Sequence, residues 1–125
     1  MGRSILAVVV GWLIWGVASN LAFAIGGAAS PESFGKQGQP VTTGALTVFA
    51  ALAFVWSVGS GAVCSRIDRG RSRTTLAALC VALVLTGAAV QALTWSLYPV
   101  WYHVVFLAVL VPGTLLGGRR CAKRP

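Results

Sequence analysis

Residues 4–31, 37–65 and 74–118 contain no Asp, Glu, Lys or Arg, and this absence constrains the chain more than anything it contains. One crossing of the hydrocarbon layer takes ~20 apolar residues. The third run is more than twice that length, so it must hold two spans rather than one. The sequence predicts an all-α fold, a transmembrane four-helix bundle with both termini on the cytoplasmic side. Its spans fall at about residues 4–25, 41–64, 74–97 and 100–116 within a single domain covering 1–125.

With 57% hydrophobic residues and a mean hydropathy of +0.82, a soluble domain of this size would have nowhere to hide its apolar surface. Ten bases stand against two acids, for a formal charge of +8. In a soluble protein that balance would suggest nucleic acid, but the distribution argues otherwise. Arg3 precedes the first span, Arg66, Arg69, Arg71 and Arg73 crowd the linker after the second, and Arg119, Arg120, Lys123 and Arg124 fill the tail. An even number of spans puts all of these on one face, as the positive-inside rule asks. The two basic groups after the second and fourth spans are then expected to contact anionic headgroups, with the lipid bilayer as partner and no role for nucleic acid.

The first span, bounded by Gly26 and Gly27, resembles a signal sequence in having Arg3, an apolar run and the triplet Ala22-Phe23-Ala24. Its apolar stretch exceeds the ~7 to 15 residues of a signal core and carries two bulky tryptophans, so a retained anchor is expected. Pro40 stands just before the second span, with Thr42 and Thr43 in its first turn; proline at a helix start costs little. Only Tyr98 and Pro99 separate the third and fourth spans, which requires a tight antiparallel hairpin. Trp95, Tyr98, Trp101 and Tyr102 cluster there as an interfacial aromatic belt would. Pro112 is expected to kink the fourth helix, with neighbours or water satisfying the freed carbonyl.

Cys64, Cys80 and Cys121 form no C-x-x-C pair and all map toward the reducing side. Small apolar packing is the role expected of Cys64 and Cys80. One His and scattered cysteines do not assemble a zinc site, and neither phosphate-cradling loops nor hydrolase elbows are present. No cofactor is expected. Four-helix exporters of cationic drugs need a carboxylate inside the first helix, and this first helix has none; Glu32 lies in the outer loop and Asp68 in the arginine linker, where local pairing with Arg66, Arg69 or Arg71 is expected.

Small residues four apart let helices approach closely in lipid. Such stripes occur at Ala53, Ser57 and Gly61, at Ala78, Ala82 and Thr86, and at Ala7, Gly11, Ala18 and Ala22. They suit packing within the bundle or a homodimer. Intramembrane polar groups are the other signal, because they are costly in lipid. At ~1.5 Å rise per residue, Asn20 and Gln91 lie ~24 and ~25 Å from the cytoplasmic boundary. Thr47 and His103 come to a similar height on the descending helices. Hydrogen bonding across the bundle by Asn20, Thr47 and Gln91, with His103 at headgroup water, is one reading of this layer; a substrate or ion site with His103 as proton carrier is the other.

The opening residues Arg3 to Trp12 and the closing run Tyr98 to Leu107, with Pro112 and Gly117-Gly118, resemble a family of small uncharacterised bacterial four-helix integral membrane proteins. The resemblance implies four spans and a bacterial plasma (inner) membrane, and carries no activity. The expectation is a non-enzymatic multi-pass membrane protein acting as an accessory or interaction partner of another membrane protein or of a second copy. The alternative is a small transporter or channel, dimeric or not, using the outer polar layer.

Overall fold

A computed structural model describes residues 2–34, 40, 42–69 and 73–122, with the side chains of 120–122 excepted. Four helices dominate: α1 (Gly2–Ala29), α2 (Thr43–Asp68), α3 (Arg73–Leu93) and α4 (Val100–Ala122). Each is long and apolar enough to cross a membrane. The protein is therefore an all-helical, multi-pass membrane protein.

α1 reaches further than expected at both ends, and its 28 residues span ~42 Å at 1.5 Å per residue. Two glycines, Gly26 and Gly27, do not stop it, and the chain leaves the helix only at Ser30 before Pro31. α2 starts at Thr43 because Thr42 is its cap: the Thr42 hydroxyl accepts from the Ala45 amide at 3.2 Å, one of the donors a helix start leaves free. The expected start, Val41, lies outside the described residues. At the other end α2 runs past Cys64 to Asp68, with Arg66 in the last turn and Arg69 in the left-handed region (φ 59°).

α3 ends at Leu93 rather than at Leu97. The chain goes on through a short 3-10 turn, Trp95–Leu97, to an extended Tyr98 (φ −126°, ψ 153°). Pro99 enforces that extension, because its ring excludes the helical region for the residue before it. The α3–α4 connection is thus the tight hairpin anticipated from sequence. α4 is longer than expected, continuing through Pro112 to Ala122.

Packing follows from which helices own small residues. α2 makes its most extensive contact with α4 and its next with α1, while α3 lies against α4 and, less closely, α1. The order around the bundle is therefore α1, α2, α4, α3. α2 and α4 run in the same direction, and their backbones touch. A Cβ on Gly61 would sit 2.0 Å from the Thr114 carbonyl oxygen, and one on Gly117 only 1.9 Å from that of Val58. Ser57 and Thr114, fully buried in this seam, donate to carbonyls of their own helices, Ala53 and Leu110, at 2.7 and 2.8 Å. This back-bonding leaves them flat enough for close approach.

The small-residue stripe Ala53, Ser57 and Gly61 is thus a true contact face, matched on α4 by Gly113 and Gly117. On α3 the contact face is Thr75, Leu79, Leu83, Gly87 and Gln91, whereas Ala78 is exposed. α1 buries Ala7, Gly11 and Trp15, while Ala18 and Ala22 are half-buried. Leu79, Leu83, Leu110 and Tyr102 form the centre of the core.

One end of the bundle gathers the bases. The Ser4 hydroxyl donates to Asp68 Oδ1 at 3.0 Å, tying the start of α1 to the end of α2. A Cβ on Gly118 would strike Leu76 of α3 and approach Ser65 of α2, so the end of α4 belongs to the same cluster. Arg3, Arg66, Arg69, Arg73 and Arg119 are exposed there. Arg71, Lys123 and Arg124 lie outside the described residues, as does the side chain of Arg120.

Candidate functional site

Two features compete for the description of a site: the polar layer anticipated from sequence, and a cleft that was not. The layer is only half assembled. Gln91 on α3 and His103 on α4 face each other across the hairpin, Gln91 Oε1 against His103 Nδ1. His103 Nε2 reaches the Trp95 carbonyl at 3.2 Å. Because that carbonyl only accepts, Nε2 must carry a hydrogen. A neutral ring then needs a donor at Nδ1, which Gln91 supplies when its amide nitrogen is turned toward it.

His103 is enclosed rather than wet. Trp95 stacks on the imidazole at 4.4 Å with 7° between planes, and Tyr98 and Tyr102 present their rings at steep angles. The residue is 1% exposed and Gln91 4%, so headgroup water does not meet His103. Of the anticipated aromatic belt, Trp95 and Trp101 are exposed, Tyr98 is half-buried and Tyr102 is turned into the core. In the turn itself, burial pushes the Tyr98 phenol above the ordinary tyrosine value.

Asn20 and Thr47 do not join this pair. Both are exposed, and each closes on its own helix: Asn20 Nδ2 donates to the Gly16 carbonyl and Thr47 Oγ1 to that of Thr43, both at 2.8 Å. The four residues share a height but not a centre. Equal depth along four helices says nothing of azimuth, and azimuth decides whether side chains meet.

The larger feature is a cleft of about 700 Å³ between α1 and the other three helices. Its walls come from one side of α1 between Trp12 and Ala24, from Phe49, Leu52, Ala53 and Trp56 of α2, from Thr86 and Val90 of α3, and from Tyr102 and Phe106 of α4. Two contacts bracket it. Phe23 stacks on Phe49 at 4.5 Å toward the loop end, with Phe34 edge-on to Phe49. Trp12 Nε1 donates to Thr86 Oγ1 at 2.9 Å, linking α1 to α3. Trp15, 5% exposed, meets Phe106 edge to face at 6.0 Å.

Two polar atoms in this apolar wall stand out. The indole Nε1 atoms of Trp15 and Trp56 are buried and find no acceptor among the described residues. Such donors usually find a partner when buried. The sequence did offer a signal, which hydropathy conceals: tryptophan belongs at membrane interfaces, yet Trp15 and Trp56 fall near the middles of α1 and α2. Cys64 and Cys80 are buried free thiols. Among the described residues no group of three His, Cys, Asp or Glu side chains is placed to hold a metal ion. Comparison with protein-family models, curated proteins and solved structures finds no match.

Proposed function

We propose that this chain is a small non-enzymatic protein of the bacterial inner membrane that acts as an accessory or interaction partner, with both termini and the arginine linker in the cytoplasm. The observation that carries this reading is the closed state of its polar layer. Gln91 and His103 satisfy each other inside an aromatic enclosure, and Asn20 and Thr47 turn back on their own helices. A transporter working through that layer would need these groups to converge on one path, so this arrangement favours a protein that binds over one that conducts.

The least buried helix is α1, whose outward face carries Ile5, Leu6, Val9, Leu13, Val17 and Leu21. That face is where a partner helix or a second copy would lie, and the exposed arginines at the terminal end would contact anionic headgroups. The test is crosslinking in native membranes. Recovery of a defined membrane-protein partner or a homodimer through α1 is expected; recovery of monomer alone would overturn the reading. Ion or solute flux in liposomes that is lost in His103→Ala and Gln91→Ala would install the transporter in its place.

A further inference from the structure

We infer that the basic end of the bundle seats one anionic phospholipid with two phosphates in its headgroup, a cardiolipin by class, at the junction of α2, α3 and α4, through Arg66, Arg73 and Arg119. The inference rests on the proposal that this end meets anionic headgroups, and deepens it from a general attraction to one seat for one lipid.

Geometry supplies the first argument. At Gly118 the end of α4 closes on two neighbours at once: an added Cβ would sit 2.4 Å from Leu76 Cδ2 of α3 and 3.1 Å from Ser65 Oγ of α2. Arg119 follows Gly118, Arg66 follows Ser65, and Arg73 stands three residues before Leu76. Three helices thus bring one arginine each to the edge of a single point of contact, and all three side chains are exposed. Basic pockets between membrane helices at this level are where doubly charged headgroups bind.

Charge supplies the second. The one acid among the described residues of this end, Asp68, is 6% exposed and accepts from the Ser4 hydroxyl, so no exposed carboxylate stands beside the arginines there. A zwitterionic headgroup would bring its ammonium to this cationic surface. A lipid with one phosphate answers one charge, whereas two phosphates on one molecule meet the second arginine at the high effective concentration that the first contact sets.

Residue choice supplies the third. Of the bases flanking the spans at this end eight are arginine (Arg3, Arg66, Arg69, Arg71, Arg73, Arg119, Arg120 and Arg124) and one, Lys123, is lysine. Topology asks only for positive charge, which lysine meets as well. Guanidinium forks bond phosphate oxygens in pairs, which an ammonium does not. Height points to a lipid rather than a soluble phosphate, because Leu116, three residues before Arg119, is already an exposed apolar side chain against which an acyl chain can lie.

The experiment uses the full chain in phosphatidylcholine nanodiscs, titrated with tetraoleoyl cardiolipin and, separately, with dioleoyl phosphatidylglycerol at matched phosphate, binding being read by native mass spectrometry. Saturation at one cardiolipin per chain is expected, with phosphatidylglycerol about tenfold weaker. Arg66→Gln, Arg73→Gln and Arg119→Gln should each weaken cardiolipin binding about fivefold without lowering the unfolding midpoint. Arg3→Gln, on the one helix that the Gly118 contact does not include, should stay within about twofold, the reach of a screened surface charge. Equal binding of phosphatidylglycerol, or an equal loss from Arg3→Gln, overturns the proposal in favour of a diffuse basic surface. Undiminished binding when Arg66, Arg73 and Arg119 are all replaced by lysine overturns it too, since charge alone would then suffice. Displacement of cardiolipin by an equal concentration of inorganic pyrophosphate would give the seat to a soluble anion and so also overturn it. None of these results bears on the accessory role, which fails on crosslinking that recovers monomer alone.

Discussion

Where α2 meets α4 the backbones touch, and where α1 meets the same bundle side chains stand between the helices and leave a cleft. The difference lies in which residues face each other. α4 brings Gly113 against Ser57 and Gly117 against Val58 and Ala62, while Gly61 of α2 lies against Thr114, so two main chains come together along the seam. α1 brings one glycine of this kind, Gly11, whose Cβ would meet Leu79 and the Ser60 carbonyl at 3.0 and 3.2 Å; four residues further on it brings a tryptophan. In lipid, where apolar surface alone does not drive helices together, van der Waals closeness is what separates a fixed seam from a movable one. The α2–α4 pair is the frame, and α1 is the wall that leans on it.

The comparison breaks most readily at the frame. Gly117→Val places atoms where the Val58 carbonyl lies, and the helices must part to admit them. A loss of about 3 kcal/mol or more is expected, read as a lowered detergent-unfolding midpoint. Gly59→Ala, on the same helix as Gly61 but with nothing within 4 Å of the added Cβ, should be neutral or slightly stabilising, since alanine is the better helix former by ~1 kcal/mol. Equal damage from both would mean that the seam is not the frame.

The buried pair at the hairpin comes next. Gln91→Leu leaves His103 Nδ1 without its partner inside an aromatic enclosure, and an orphaned buried group costs about 1 to 3 kcal/mol. Adding His103→Phe should restore part of that loss, because removing both partners is milder than removing one. Strict additivity in this double-mutant cycle would show that the two side chains are not coupled. A smaller effect is expected at the terminal end of α1. Ser4→Ala removes the bond to Asp68, and side-chain hydrogen bonds between membrane helices average only ~0.6 kcal/mol.

The span count and the α3–α4 hairpin were legible because both follow from one-dimensional quantities: the lengths of charge-free runs and the place of Pro99. Helix ends were less so. α2 continued past Cys64 because a linker rich in arginine can still be helical, and α3 stopped at Leu93, giving way to the 3-10 turn Trp95–Leu97 before the extended Tyr98 that Pro99 requires. The polar layer was half legible for a geometric reason. Rise per residue gives height, and Gln91 and His103 at one height do touch, but rotation about each axis is set by packing, which kept Asn20, on the cleft side of α1, and Thr47 away from that pair. The cleft was hidden because apolar lining residues look the same as lipid-facing ones in sequence, and only the mid-span positions of Trp15 and Trp56 departed from the usual pattern.

The finest distinction between frame and wall rests on the Trp12–Thr86 hydrogen bond, which joins α1 to α3 beside the cleft. Trp12→Phe keeps an aromatic side chain, smaller than the indole, and loses the donor, and because the contact is exposed the global cost should stay near ~0.6 kcal/mol. Its effect on local opening should be plainer. Amide exchange reports segments that open without global unfolding, so the α1 amides between Trp12 and Ala24 should exchange severalfold faster while those of α2 from Ala53 to Gly61 keep their protection. Uniform acceleration across both helices would mean that α1 and α2 open as one unit. The cleft would then be a fixed hollow in a single rigid bundle, and access to it would not depend on α1 moving.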